Sequence, residues 1–342
     1  MTRRELSGLA LGALAAAQTP SIPDVIKPKA LAKGDTVGLI TPSTFVSDPE
    51  RLETAERTVR YFGLVPKWGK NVGRKWGYAG GTIDERLDDL HAMFADPSVK
   101  GVFCVRGGYA AGQLLDRIDY KLIRSNPKVF VGYSDITAMH LAIRRMTGLV
   151  TFHGPVPMSA FTPFTQEFYR RALFEAKPLG DLTNPPETNT LRPNHHLHTI
   201  RPGKARGQLV GGNLTLIATT MGTPYEVDTR GRIFFIEDVE EAPYSIDRML
   251  TQLRLAGKLQ QAAGIVWGEC ADCKAKDYKP SFSDGSFTTS EVAMNILGKL
   301  DIPVLSGLTI GHTDDQLTLP EGIMAELDST KQTLTMLEAA TV

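Results

Sequence analysis

Residues 128–136 read Lys-Val-Phe-Val-Gly-Tyr-Ser-Asp-Ile, a short apolar run that passes through Gly132 into polar residues. The apolar run is typical of a buried strand, and a helical pattern begins near Asp135. A strand that turns directly into a helix presents Ser134 at the carboxyl edge of a sheet, beside the free N–H groups of the helix start. A nucleophile elbow has this arrangement, although its Gly-x-Ser-x-Gly pattern has Gly where Ile136 stands. The alternative is that Ser134 is only the N-cap of the helix.

Similar alternation surrounds this stretch. Strand-like runs lie at residues 36–41, 64–68, 101–106 and 149–152, and helical patterns lie at residues 49–62, 83–94, 111–116 and 135–146. Strands that alternate with helices predict βαβ units and a mostly parallel sheet. Such sheets bind ligands at the carboxyl ends of their strands, so we expect the chemistry just after Ile40, Val105 and Gly132.

The periodicity fades between residues 160 and 200, where Pro and Asn are frequent, and this predicts an interdomain connection. A second organised region begins near Gly207, with strand patterns at residues 232–236 and 264–268 and shorter ones near its end. The predicted division is a signal peptide and linker at residues 1–27, an N-terminal α/β domain at 28–160, an interdomain linker at 161–204 and a C-terminal domain at 205–342.

The N-terminus is set apart from the rest of the chain. Arg3-Arg4 precedes a small apolar segment at residues 6–17, which ends in Ala15-Ala16-Ala17 before a Pro-rich stretch. This pattern predicts a secretory signal of the twin-arginine type, and therefore a periplasmic or exported protein. The alternative is a frayed or amphipathic N-terminal helix in a cytoplasmic protein.

The composition excludes several functional classes. Lys and Arg total 38 and Asp and Glu total 38 among 342 residues, so the balanced charge offers no basic field for nucleic acid. The longest apolar runs fall short of the ~20 residues of a membrane-spanning helix. Three Cys are too few for a disulfide scaffold. The composition predicts a soluble enzyme or ligand-binding protein.

A nucleophilic serine needs a base and a group that orients the base. His312 lies in a polar break after an apolar segment, and Glu237 ends an apolar strand, so both are placed at edges. Gly107-Gly108 follow a strand and allow a phosphate or an oxyanion to approach the backbone closely, or they form a structural turn. Spacing alone does not bring these residues together.

Two further clusters carry weaker signals. His195, His196 and His198 lie in the predicted linker without a supporting Cys or carboxylate pattern, which favours a solvated loop over a metal site. Cys270 and Cys273 form a single Cys-x-x-Cys, which without a second pair does not predict zinc. A disulfide and two separate thiols both remain open for this pair.

Short motifs in a fixed order give the chain a specific resemblance. They are Gly38-Leu-Ile-Thr-Pro-Ser43, Arg106-Gly-Gly-Tyr109, Gly132-Tyr-Ser-Asp135, Gly211-Gly-Asn-Leu214, Ile236-Glu-Asp238, Ile246-Asp-Arg248 and Gly311-His312. This set resembles the LD-carboxypeptidase family of serine peptidases over roughly residues 28–335.

The resemblance implies a Ser–Glu–His triad, in which Ser134 is the nucleophile, Glu237 orients the base and His312 is the base. It implies an oxyanion hole formed by the N–H groups of Gly108 and Asp135. The family's fold is an N-terminal flavodoxin-like or Rossmann-like parallel-sheet domain followed by a C-terminal β-rich α/β domain, often in a homodimer. Its activity removes the terminal D-alanine from murein tetrapeptides and needs no metal or organic cofactor.

We place Tyr109 and Asn213 at the rim of the substrate site. Two other functions stay open from the sequence. One is an exported two-domain ligand-binding protein, because paired α/β domains with glycine loops at strand ends also suit a ligand clamp. The other is a self-immunity peptidase that acts on nucleotide-linked peptides.

Overall fold

The computed structural model describes residues 22–187, 191, 194–275 and 285–342. Most of the predicted signal segment therefore lies outside the described residues. Within these ranges, no helix is both long enough and apolar enough to cross a membrane.

The N-terminal half alternates strands with helices, as its periodicity predicts. Its elements are β1 (Thr36–Ile40), α1 (Pro49–Tyr61), β2 (Val65–Trp68), α2 (Ile83–Ala95), β3 (Val99–Cys104), a 3-10 helix (Ala111–Arg117), α3 (Tyr120–Ser125), β4 (Val129–Gly132), a 3-10 turn (Ser134–Ile136), α4 (Thr137–Thr147) and β5 (Thr151–His153). Local signals explain several helix starts. Thr82 and Glu85 form a reciprocal capping box before α2, and Asp48 caps α1, whose first residue is Pro49.

The remaining elements are richer in strands. They are α5 (Pro163–Phe174), β6 (Pro178–Leu182), β7 (His198–Arg201), β8 (Lys204–Asn213), α6 (Leu214–Thr219), β9 (Ile233–Val239), α7 (Pro243–Leu255), α8 (Lys258–Gln261), β10 (Gly264–Ala271), α9 (Thr289–Leu297), β11 (Val304–Leu308), β12 (Leu319–Glu321), β13 (Met324–Asp328) and β14 (Thr333–Ala339). The expectation of an irregular connection over 161–204 is wrong in part, because α5, β6 and β7 lie inside it. The domain boundaries themselves stay a prediction.

Two sheets organise these strands. The first has the order β12-β5-β4-β3-β1-β2, in which β1 to β5 pair in parallel and β12 joins β5 antiparallel. The second has the order β6-β14-β13-β8-β9-β10-β11-β7, with β8 to β11 parallel and the outer strands antiparallel. The predicted fold class, a parallel-sheet N-terminal region with a second β-rich α/β region, is confirmed.

Strand pairing and apolar packing link the two sheets. β12 comes from the C-terminal region but pairs with β5, and one apolar cluster contains side chains of both sheets, such as Val131, Phe152, Leu209 and Phe235. Every residue of β4 is buried, as expected for a central parallel strand. The loop after β4 therefore leaves from a rigid element, which fixes the position of Ser134.

Candidate active site

Ser134 lies at a sharp turn between β4 and α4. Its φ angle is +64°, in the left-handed region that a non-glycine residue adopts only where the surrounding structure holds it. Two glycines leave room for the turn. A Cβ on Gly132 would lie 2.8 Å from Cγ2 of Ile136, and a Cβ on Gly107 would lie 2.9 Å from Cβ of Ser134. Position 136 of this chain is not glycine. Gly107, in the loop after β3, is the glycine that allows that loop to lie close to Ser134.

Glu237 and His312 meet although 75 residues separate them. Nδ1 of His312 and Oε2 of Glu237 are 2.8 Å apart, and the Glu237 side chain, at the carboxyl end of β9, is fully buried. Gly311 has a φ angle of +90°, and a Cβ there would lie only 2.0 Å from the same carboxylate oxygen. Glycine is thus required for the His312 loop to lie against Glu237. If Nδ1–H donates to Glu237, Nε2 is the ring nitrogen left to accept a proton.

The charges around His312 favour its protonated form. Burial acts to lower the pKa of His312, but the charge and hydrogen bond of Glu237, together with Asp238 and Glu240, outweigh it and raise the pKa above 6.5. An imidazole in this environment holds a proton well once it has accepted one. It must also be deprotonated before it can act.

The Tyr133 side chain joins the serine turn to the histidine loop. Its ring centroid lies 4.8 Å from that of His312, and Tyr133 is the residue before Ser134. Within the described residues, Ser134 Oγ makes no hydrogen bond, so the structure brings His312 against the turn without a formed Ser–His contact. Such contacts are often long in the absence of substrate and tighten when it binds.

Gly108, a predicted oxyanion donor, lies in a backbone conformation that favours glycine. Its φ angle is +117°, and a Cβ there would lie 2.3 Å from Thr44 Oγ1, so only glycine fits. Thr44 Oγ1 accepts a hydrogen bond from the next N–H, that of Tyr109, at 2.9 Å. No group in the described ranges accepts the N–H of Gly108. This N–H is on the same loop as Gly107, which lies against Ser134.

The Asp135 side chain holds three loops together, a role that the sequence patterns missed. The carboxylate is buried and accepts hydrogen bonds from the Ser43 hydroxyl and, at 2.8 Å, from the N–H of Ala111. Burial raises the pKa of Asp135 against these hydrogen bonds. Ser43 belongs to one of the motifs that carry the resemblance, so its presence in the motif is the signal that could have indicated this contact.

Asn213 is buried, and both ends of its amide are engaged. Its Nδ2 donates to Asp238 Oδ1 at 2.9 Å, and its Oδ1 caps α6 by accepting from Leu216 N at 3.2 Å. Asp238 also accepts from the N–H and hydroxyl of Thr215, and burial beside charged Glu237 raises its pKa to about 6. These contacts favour a supporting role for Asn213, and its predicted contact with substrate stays a prediction.

Tyr109, in contrast, is open to solvent. Its side chain is 70% exposed, and its ring lies edge-on to Tyr78, with centroids 6.4 Å apart. This placement suits the predicted rim of a substrate site.

The histidine cluster of the predicted linker is divided among different environments. His195 Nδ1 lies 2.9 Å from Glu269 Oε1 and its Nε2 lies 3.5 Å from Asp315, whereas His196 and His198 are exposed. In the parts of the chain that the structure describes, no three His, Cys, Asp or Glu side chains are grouped as metal ligands. His195 therefore ties β10 to the loop that carries His312.

A disulfide closes the turn beyond Glu269. Cys270 and Cys273 are bonded to each other, and Cys104 is a free, buried thiol. A cavity of about 670 Å³ opens beside this turn, lined by residues such as Trp267 and Phe287. Its lining does not include Ser134, Glu237 or His312.

Family models match both halves of the chain. A model described as the LD-carboxypeptidase N-terminal domain matches residues 37–154, and one described as the LD-carboxypeptidase C-terminal domain matches residues 206–327.

Named relatives cover nearly the whole length. A probable murein peptide carboxypeptidase of Bacillus subtilis is 43% identical over 312 residues, covering 90% of this chain and 93% of the relative. A murein tetrapeptide carboxypeptidase of Pseudomonas aeruginosa is 30% identical, covering 86% of this chain and 94% of the relative. The solved structure of the microcin C7 self immunity protein MccF, in its wild type apo state, has a TM-score of 0.82 at 27% identity. It matches over 93% of this chain and 100% of its own.

Proposed function

The chain belongs to the LD-carboxypeptidase family of serine peptidases, and from this premise we propose that it removes the terminal D-alanine of murein tetrapeptides through Ser134, His312 and Glu237. The observation that carries the proposal is the 2.8 Å distance between His312 Nδ1 and Oε2 of buried Glu237. The loop that holds His312 also lies against the Ser134 turn.

The chemical steps follow from these positions. Ser134 Oγ attacks the carbonyl carbon before D-alanine while His312 Nε2 takes the hydroxyl proton. As the C–N bond breaks, His312 returns that proton to the amine of D-alanine, which leaves an ester on Ser134. A water molecule, deprotonated by His312, then attacks the ester carbonyl, and His312 returns the proton to Ser134 Oγ as the acyl–oxygen bond breaks and the shortened peptide leaves as a carboxylate. Glu237 stabilises the imidazolium that forms in each half of the reaction.

The oxyanion of each tetrahedral intermediate would face the N–H groups of Gly108 and Asp135. One donor of this kind contributes about 3–4 kcal/mol to the transition state. Gly108 supports this role because its N–H lies on the loop packed against Ser134. The Asp135 side chain supports it indirectly, since its hydrogen bonds to Ser43 and Ala111 fix the turn.

The test is release of D-alanine from a tetrapeptide whose third residue is lysine or diaminopimelate. We expect Ser134→Ala to lose at least about 10³-fold in kcat, as other triad serines do. The matched control is Ser125→Ala, the same change at an exposed position at the end of α3, on the opposite edge of the sheet. A folded Ser134→Ala variant that retains wild-type turnover would exclude this mechanism.

A second candidate function is cleavage of nucleotide-linked peptides. It is favoured by the likeness to the self immunity protein MccF, whose fold matches nearly the whole chain. Parallel assays with a murein tetrapeptide and an aminoacyl-sulfamoyl nucleotide separate the two. Faster cleavage of the nucleotide conjugate would replace the murein substrate while keeping the triad.

We also propose that the mature protein is exported and forms a homodimer. The support for export is the Arg3-Arg4 pattern and the apolar segment that follows it. N-terminal sequencing of protein from the native host tests export, and an intact N-terminus on cytoplasmic protein would contradict it. Light scattering of the purified protein tests the dimer, for which a monomer mass is the contrary result.

A further inference from the structure

Arg106 is an unpaired cation beside the Ser134 turn. It lies two residues after the end of β3, directly precedes Gly107-Gly108 and is half-buried. Across the described ranges its guanidinium donates no hydrogen bond and forms no ion pair with a carboxylate. A guanidinium that is partly removed from water without a partner is unfavourable, so its position needs an explanation.

Arg86, a fully buried arginine whose guanidinium reaches the neighbouring loops, is a contrast to Arg106. Arg86 donates to the carbonyls of Pro42 and Ala110, each at 2.9 Å, and to the side chain of Gln113 at 2.7 Å. Its contacts explain its burial by structure alone. Arg106 lacks such contacts, and this difference indicates a ligand instead of a structural role.

The guanidinium lies over the loop proposed to bind the oxyanion. A Cβ built on Gly108 would be 3.7 Å from Nη2 of Arg106, and a Cβ on Gly107 would be 3.3 Å from Ser134 Oγ. The cation and the proposed nucleophile thus flank the same two glycines. A carboxylate held by Arg106 would lie within one amino-acid residue of a carbonyl carbon held at Ser134.

The surroundings of Arg106 are electropositive. Burial lowers the pKa of Arg106, and the charge of Arg51 lowers it further, while Tyr109 and Tyr133 act in the opposite direction. Arg51 lies in the first turn of α1 and also has no ion pair in the described part of the chain. Arg51 and Arg106 are therefore two cations close enough to interact, which favours an anionic ligand on this side of the site.

We propose that Arg106 binds the terminal carboxylate of the residue that is removed, with Arg51 adding to the positive field. This inference rests on the proposed function, because it assigns the leaving residue to the Arg106 side of Ser134. A planar guanidinium matches a carboxylate through two parallel hydrogen bonds, which a peptide amide cannot form in the same way. Arg106 would therefore restrict cleavage to the last peptide bond.

The experiment compares a tetrapeptide that ends in a free carboxylate with the same peptide ending in a carboxamide. We expect wild-type protein to prefer the acid, and Arg106→Gln to lose about 10- to 100-fold in kcat/KM on the acid alone, mainly through KM. Arg106→Lys should recover part of this loss. The control is Arg57→Gln, an exposed arginine of α1 that contacts Thr54, which should not change the acid-to-amide ratio.

Binding to the Ser134→Ala variant gives a readout independent of turnover. By calorimetry, the acid should bind more tightly than the amide, and adding Arg106→Gln should remove the difference. An equal loss on the acid and the amide, in kcat/KM or in affinity, would overturn the inference. Arg106 would then act on the oxyanion or stabilise the conformation of the Ser134 turn. An unchanged ratio would overturn it as well. Failure of wild-type protein to bind or cut either peptide, with Arg106 intact, would instead remove the proposed function and this inference with it.

Discussion

Replacing Glu237 by Gln should reduce catalysis strongly and move its pH dependence. Glutamine keeps nearly the same volume in a fully buried position, and its oxygen can still accept from His312 Nδ1. The change therefore removes a charge with little change in packing. It isolates the electrostatic part of the contact.

The magnitude follows from the distance. Unit charges 2.8 Å apart in an effective dielectric constant of about 20 interact by about 6 kcal/mol. Both charges are spread over two atoms, so a mean separation of about 4 Å and about 4 kcal/mol is the better figure. Because each 1.36 kcal/mol is about tenfold in rate, kcat should fall by about 10³-fold.

The pH profile should change in a defined direction. In the wild type the pKa of His312 is raised, so activity falls as the pH drops through a value above 6.5, where the base becomes protonated. Without the Glu237 charge, this acidic limb should move to lower pH. The same raised pKa means that the His312–Glu237 pair stabilises the fold fully below pH 6.5 and loses this contribution as the pH rises through the folded value.

The assay is D-alanine release between pH 5 and pH 9, with kcat and kcat/KM fitted at each pH. Glu240→Gln is the matched control, since Glu240 is an exposed carboxylate three residues on that acts more weakly on His312. It should shift the limb slightly and keep kcat within about threefold, as exposed charges do. A Glu237→Gln variant with kcat within tenfold of wild type and an unmoved limb would refute the reasoning.

Two other substitutions and one reagent test separate parts of the structure. Gly311→Ala should lower kcat by at least about 10²-fold and cost about 1–2 kcal/mol of stability. The added Cβ would collide with the Glu237 carboxylate, and the φ angle there is positive. The control is Gly112→Ala, whose Cβ would enter open space, and it should change neither kcat nor stability. Burial raises the pKa of Glu321 from 4.5 to about 8 against the charge of Arg144, so its folded form retains a proton that the unfolded form releases. The free energy of unfolding should therefore fall by up to about 1.4 kcal/mol per pH unit as the pH rises from 4.5 to 8, and denaturation of Glu321→Gln should lack this component. EDTA should leave D-alanine release unchanged, because a Ser–His–Glu triad uses no metal. A loss of activity that zinc restores would contradict this mechanism.

Local patterns predicted the elements that stand in sequence order. The strand through Gly132 and the helix after Ser134 each carry their own periodicity, and parallel pairing then places their junction at the carboxyl edge. The helix α5 was missed because the segment from residue 160 to 200 was interpreted as a connection, although Thr162 before Pro163 is a helix-start signal.

Pairings between segments that are distant in the sequence could not be predicted from local patterns. The edge strand β12 completes the first sheet from a position 166 residues beyond β5, as in the pair of Leu319 with His153. The contact of Glu237 with His312 is equally long-range, and it was expected only from the family resemblance. Such contacts depend on the packed fold, because no periodicity within either segment encodes the partner.

Hydrogen bonds of Asn213, at the end of β8, connect the helix that follows Ser134 to the strand that carries Glu237. The N–H of Asn213 donates to Thr137 Oγ1 at 3.0 Å, in the first turn of α4 after Ser134. The same Asn213 holds Asp238, whose neighbour Glu237 holds His312. A displacement of β8 relative to α4 would therefore change the distance between Ser134 and His312. These links join α4 to β9 through the end of β8, and they give a physical reason for the presence of buried Asn213 in a family motif.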